Sequence, residues 1–125
     1  MIVHLDTHAA VWLRMGDLRR LRPVRAVLAR AELRLSPYAL LELQALFEIG
    51  RLRETGRWIA DRLREDHDVE LTHDGLADAT ERAMDFSFTR DPFDRLIAGH
   101  AAAAKATLLT ADESLLKNLS FTKWG

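Results

Sequence analysis

The spacing of apolar positions changes several times along the chain, and each change marks an element. "IVHL" is a short, nearly continuous apolar run that stops at Asp6, the pattern of a strand covered on both faces. "THAAVWLRM" turns to helical spacing with Thr7 at its start, and "RPVRAVLARA" predicts a second helix with Pro23 in its first turn. In "ELRLS", Leu33 and Leu35 alternate with polar neighbours, which predicts a strand. Ser36-Pro37 then marks a strand-to-helix junction with Ser36 as N-cap. "PYALLELQALFEIG" is a strongly patterned helix that stops near Gly50, and "TGRWIADRLRED" is another amphipathic one. "DVELTH" predicts a strand and "DGLADATERAMDF" a helix. "TRDPFDRLIAGHAAAAKA" predicts a helix opening at Asp91-Pro92. "TLLT" is a strand ending before Asp112, "ESLLKNL" a short helix, and "SFTKW" a last edge strand.

Strands thus alternate with helices or helix pairs. Parallel strands need crossovers, so this order predicts an α/β fold with a mostly parallel sheet and helices on both faces. The length suits one domain, residues 1–125, around a single core. No repeat or interdomain linker interrupts it. In open sheets of this kind, sites form outside the carboxyl ends of the strands.

Composition narrows the class. Hydrophobic residues at 48% and charged residues at 30% describe a globular chain. No apolar run approaches the ~20 residues of a membrane span, and the N-terminus lacks the features of a secretory signal. A cytoplasmic protein is the expectation. Cysteine is absent, so disulfides and thiolate metal sites are excluded. The net charge of -1 does not announce a nucleic-acid binder. Arginines nevertheless cluster over 14–34 and again over 51–64, and arginine suits phosphate because its fork donates paired hydrogen bonds.

Four acids stand where a carboxylate is costly or well placed for chemistry. Asp6 directly follows the first strand, and Asp112 follows "TLLT" at the end of a late one. Either acid could simply cap the helix after it. Glu42 lies roughly 200° round the helical wheel from Gln44, on the apolar side of its helix, so it needs an internal arginine or a metal as partner. Asp91 reads as an N-cap before Pro92. Asp94, in the first turn, gains from the helix dipole but shares a face with Ile97 and Ala98. If the four converge, their mutual repulsion favours a cation. All-oxygen ligands select hard ions such as Mg²⁺ or Mn²⁺.

"LDTHAAVWL", the inward Glu42 of "LLELQAL", "RDPFDRLIAGHA" and "LLTADESL", in that order, resemble the PIN-domain ribonucleases. The closest likeness is to the VapC-type toxins of bacterial toxin–antitoxin pairs, and it spans essentially the whole chain. The resemblance implies a three-layer α/β/α sandwich that cleaves RNA with Mg²⁺ or Mn²⁺. It implies an acidic quartet, catalytic and metal-holding, of Asp6, Glu42, Asp94 and Asp112. Asp94 rather than Asp91 takes the third place because it precedes "LIAGHA"; Asp91 is left as a cap or a supporting group. Thr110 resembles a hydroxyl residue that supports such sites. A small VapB-like antitoxin and a homodimer are the implied partners, with no membrane. The chain departs from the likeness in not being net basic, so RNA would need a local arginine surface.

Arg90 and Arg95 are nearest the acids in sequence and are the candidates for holding the scissile phosphate. His4, His8 and His100 read as structural, with His8 placed at the site rim, and Trp12, Trp58 and Trp124 as core or interface residues. Three other functions compete. A signalling receiver domain would need a lysine after its last core strand, and Lys117 stands only well into the next helix. A phosphatase using Asp6 as nucleophile would want a second Asp where His8 stands. A non-catalytic PIN-like domain that binds RNA or protein would tolerate loss of an acid, and none is missing.

Overall fold

In the computed structural model, which describes all 125 residues, strand β1 spans Ile2–Leu5 with Val3, His4 and Leu5 buried. Helix α1, Thr7–Met15, is closed by Gly16 in the left-handed region at φ 67°, a conformation that favours glycine. The single helix expected over 22–31 is broken into pieces. Asp17 caps a short α2 at Leu18–Leu21, a 3₁₀ turn follows at Arg22–Val24, and α3 covers only Arg25–Arg30. Pro23 has no N–H to offer an α-helical ladder, so it sits at the start of the tighter turn.

Strand β2, Glu32–Leu35, leads into α4, Pro37–Glu48, which Ser36 caps through the amide of Tyr38 at 3.2 Å. Helix α5, Gly56–His67, is capped by Thr55. Gly56 lets α5 start directly against α4: a β-carbon there would stand 2.9 Å from the Leu40 carbonyl oxygen. Strand β3 is only Glu70–Leu71. The expected long helix after it shrinks to a 3₁₀ turn at Leu76–Asp78 and α6 at Ala79–Ala83. Phe86 and Phe88 both pack on the core, an i, i+2 spacing that extended chain provides and a continued helix does not. Helix α7 (Pro92–Ala103), strand β4 (Thr107–Leu109), helix α8 (Glu113–Asn118) and strand β5 (Thr122–Lys123) complete the chain.

The sheet order is β3-β2-β1-β4-β5 and every neighbouring pair is parallel. The sheet is therefore fully rather than mostly parallel. Connections from β1 to β3 step one way across it, and those from β3 to β5 step back. Right-handed crossovers place the two series of helices on opposite faces, giving three layers. The core between them includes Leu5, Leu35, Leu43, Leu63, Ile97, Leu108 and Leu109.

The small residues of α7 divide their work. Ala98 and Ala101 enter the main core. Gly99 faces α6, where a β-carbon would come within 2.4 Å of the Ala79 carbonyl oxygen. The closest approach of α7 is thus helix to helix, against α6. Trp12 and Trp124 meet edge-on at 5.5 Å against the core. Trp58 is exposed, with the Arg14 guanidinium 4.5 Å above its ring.

Candidate active site

Strands β1 and β4 are neighbours, yet β1 leads to β2 on one side and β4 to β5 on the other. This is the point where strand order reverses, and a crevice opens there at the carboxyl ends. Asp6 lies at that end of β1. Its backbone amide donates to the Leu109 carbonyl at 3.0 Å, which carries the β1–β4 pairing one residue past the strand. Its side chain is 5% exposed. Oδ1 accepts from the Thr7 amide at 2.8 Å and Oδ2 from the Thr110 hydroxyl at 2.6 Å.

Two threonines connect Asp6 to the other acids. The Thr7 hydroxyl, fully buried, donates to Oε1 of Glu42 on α4. Thr110 Oγ1 accepts from the Asp112 amide at 3.1 Å. Glu42, Thr7, Asp6, Thr110 and Asp112 thus form one connected series across α4 and the ends of β1 and β4. Asp112 also caps α8 through the Leu115 amide at 2.9 Å. Asp91 caps α7, accepting from the amides of Phe93 and Asp94 at 2.9 and 3.1 Å. Asp94 is half-buried one turn into that helix.

The electrostatics separate these groups. Burial pushes the Asp94 carboxyl up to about 7, and Asp91, Asp6, Glu42 and Asp112 add to the shift through their charges. Burial also raises Asp6, against the hydrogen bonds from Thr110 and Thr7. Glu42 is raised by burial, opposed by the Thr7 hydroxyl and reinforced by Asp6 and Asp91. None of the ion pairs of the chain includes any of these acids. The arginine partner considered for Glu42 is therefore replaced by a hydroxyl.

The acids share a field without forming a finished cage: no three His, Cys, Asp or Glu side chains stand together at metal-holding distance. Mg²⁺ is usually held by one or two carboxylates and several waters, so a three-ligand cage is not required of the protein alone. An all-oxygen donor set, crowded with like charge and without a lysine or arginine ion-pair partner, fits a hard divalent cation.

The remaining candidates fall in different places. Arg95 donates to the carbonyls of Ala83 and Met84 at the end of α6, at 3.2 and 3.3 Å. Arg90 donates to the Ser87 carbonyl at 2.9 Å. Both guanidiniums are engaged with the chain's own loop around α6 and α7. His8 is exposed at the rim, where its charge opposes the upward shifts of Asp6 and Glu42. His4 and His100 are buried and meet edge-on at 4.8 Å. Burial, with His100 and Arg34 adding, lowers His4 to about 4, so both act as neutral core groups. Sequence reasoning used Thr7 only as a helix start and missed its tie to Glu42. A hydroxyl residue directly after a strand-end acid was the available signal.

The comparisons with known proteins agree with this architecture. No curated protein matches the chain. A chain of the VapBC2 crystal structure from Rickettsia felis, bound to a DNA fragment from their promoter, superposes with a TM-score of 0.68 at 19% identity, covering 100% of both chains. A chain of DNA-bound VapBC from Salmonella typhimurium gives 0.64 at 17% identity, covering 98% of this chain and 96% of that one. At such identities the likeness is one of fold. The sequence model described as PIN domain matches residues 3–121, nearly the full length and including all four acids. The chain belongs to the PIN domain family.

Proposed function

We propose that this protein is a divalent-metal-dependent endoribonuclease and the toxin of a toxin–antitoxin pair. The observation that supports the reading is the gathering of Asp6, Glu42, Asp94 and Asp112 at the sheet's reversal point with no lysine or arginine ion-pair partner and with Asp94 raised to about 7. Asp6, Asp94, Asp112 and Glu42 are the residues that would hold Mg²⁺ or Mn²⁺. When bound, the ion supplies the positive charge that keeps these carboxylates ionised and neutralises charge on the substrate phosphate. Glu42, anchored by Thr7, is the group that takes the proton from the attacking water as its oxygen bonds to phosphorus and the bond to the leaving oxygen breaks. Thr7 and Thr110 orient acids rather than touch RNA. Asp91 starts α7 and adds repulsion that a cation relieves.

The arginines at 14–34 and 51–64 offer phosphate contacts away from the acids, where most RNA affinity would arise. The partner assignments, a VapB-like antitoxin and a second copy of the chain, rest on the resemblance and on the VapBC assemblies that share the fold. No helix is long and apolar enough to cross a membrane.

A non-catalytic PIN-like domain that binds RNA or protein is the second reading, favoured by the lack of a ready-made three-ligand cage. An Asp6 nucleophile fits less well, because that carboxylate is buried with both oxygens already accepting hydrogen bonds. Incubating purified chain with total cellular RNA, with Mn²⁺ or with chelator, separates the readings. Nuclease action gives Mn²⁺-dependent cuts that vanish in Asp94→Asn and Glu42→Gln. Unchanged cutting by both variants would refute the assignment, and RNA binding without cleavage under every condition would favour the second reading.

A further inference from the structure

Helices α4 and α7 each bring an acid to the site, Glu42 and Asp94, and the two helices pack against one another. Away from the acids they meet a second time. His100 on α7 places Nδ1 2.7 Å from Oγ of Ser36, the N-cap of α4, and Nε2 2.9 Å from the carbonyl oxygen of Asp74. The Asp74 carbonyl can only accept, so Nε2 carries the hydrogen and Nδ1 keeps its lone pair. The Ser36 hydroxyl therefore donates to Nδ1 while its oxygen accepts from the Tyr38 amide. His100 and Ser36 are both fully buried, and every polar atom of this contact has a partner.

The spacing gives the contact a consequence. Ser36 stands six residues before Glu42, and His100 stands six residues after Asp94. Six helical residues rise roughly 9 Å. Moving away from the Ser36–His100 contact, α4 reaches Glu42 and α7 reaches Asp94 after the same number of residues, so this bond ties together the two helices that carry these acids. Glu42 and Asp94 carry like charge, which opposes their approach. The buried Ser36–His100 contact supplies a directional, hydrogen-bonded link between α4 and α7.

We infer that His100 is a positioning residue, which through Ser36 locks α7 against α4 and so sets the separation of Asp94 and Glu42. The inference rests on the metal-dependent reading for its effect on the site, but the lock itself is a property of the fold. Outer groups that orient metal-holding side chains typically contribute tenfold or more to affinity.

Two substitutions divide the contact. His100→Gln keeps a nitrogen near the place of Nε2, preserves the bond to Asp74 and leaves Ser36 without its acceptor. His100→Asn puts its amide oxygen near the place of Nδ1 and does the reverse. With no native cysteine, nitroxide labels at Leu41→Cys on α4 and Ala103→Cys on α7 report the interhelical distance by double electron–electron resonance. Free Mn²⁺ measured by its paramagnetic resonance signal reports metal affinity in the unlabelled chain. Both are read well below the lowest melting temperature of the set.

The expected result is a broadened distance distribution and about tenfold weaker Mn²⁺ binding in His100→Gln. His100→Asn stays near the parent, and Ser36→Ala added to His100→Gln brings little further loss. A parent-like distribution and affinity in His100→Gln would overturn the inference. So would equal impairment in His100→Asn, which would trace the loss to packing and not to the Ser36 bond. If the parent chain binds no Mn²⁺, the metal reading falls, and the lock stands or falls on the distance distribution alone.

Discussion

Asp94→Asn should stabilise the metal-free protein, by an amount that grows as pH rises from about 4 to 7. The Asp94 carboxyl sits at about 7 in the folded chain against 3.8 without the fold. As pH rises between these values, the unfolded chain releases a proton that the folded chain keeps. The unfolded state then binds fewer protons, and stability falls with pH. The loss begins near 3.8, is complete just above 7, and is flat beyond. A fully enclosed group with this displacement would lose roughly 4 kcal/mol. Asp94 is only half-buried, so solvent screening reduces this to the order of 1–2 kcal/mol. For a chain of this length that corresponds to roughly 3–10 °C in melting temperature. Thermal unfolding in chelator, followed by circular dichroism from pH 4.5 to 8, tests the sign. The difference between parent and Asp94→Asn should be small at pH 4.5, and the variant should melt clearly higher at pH 8. A difference that does not change with pH, or a variant less stable at pH 8, would show that Asp94 is not held in a repulsive acidic field.

Three further outcomes follow from particular contacts. Gly99→Ala forces a β-carbon to within 2.4 Å of the Ala79 carbonyl oxygen, and urea denaturation should show a loss of about 1–3 kcal/mol. Thr110→Val removes the hydroxyl that donates to Asp6 and accepts from Asp112; the loss should be about 1–3 kcal/mol at pH 7. It should shrink as pH falls, because burial raises the Asp6 carboxyl and its protonated form no longer needs the donor. Asp91→Ala deletes a helix cap and should cost about 0.5–2 kcal/mol, yet retain RNA cleavage that Asp94→Asn abolishes. Loss of cleavage in a folded Asp91→Ala chain would move the site toward Asp91.

Much of the fold was legible because local signals agreed with it. The "IVHL" run, the Ser36-Pro37 junction and the Asp91-Pro92 cap all mark element boundaries through chemistry that acts within a few residues. The misjudged stretches are those where the local pattern was overruled. Pro23 imposed a 3₁₀ turn inside an apparently continuous helical period. Phe86 and Phe88 were drawn back to the core, which ended α6 early. The sheet order was not readable, because nothing in a crossover's sequence says whether the next strand docks beside its predecessor or on the far side of β1.

The acids show how far residue type and place can go. Asp91 and Asp94 sit three apart at the head of one helix, and either could be written off as a favourable charge near the dipole. What separates them is the use made of their oxygens and their water. Asp91 is exposed, and its Oδ1 serves two backbone amides; that is a complete structural account. Asp94 has lost half its water and gained four negative neighbours and no cation. A fold under no other demand would have exchanged such a carboxylate for an amide or an apolar group, since that exchange stabilises it at neutral pH. Glu42 makes the same case from another helix, half-buried and held by a threonine hydroxyl where an arginine would have neutralised it. Retaining both, with His100 and Ser36 bonding the two helices that carry them, is a disposition that becomes favourable once a divalent cation joins the site.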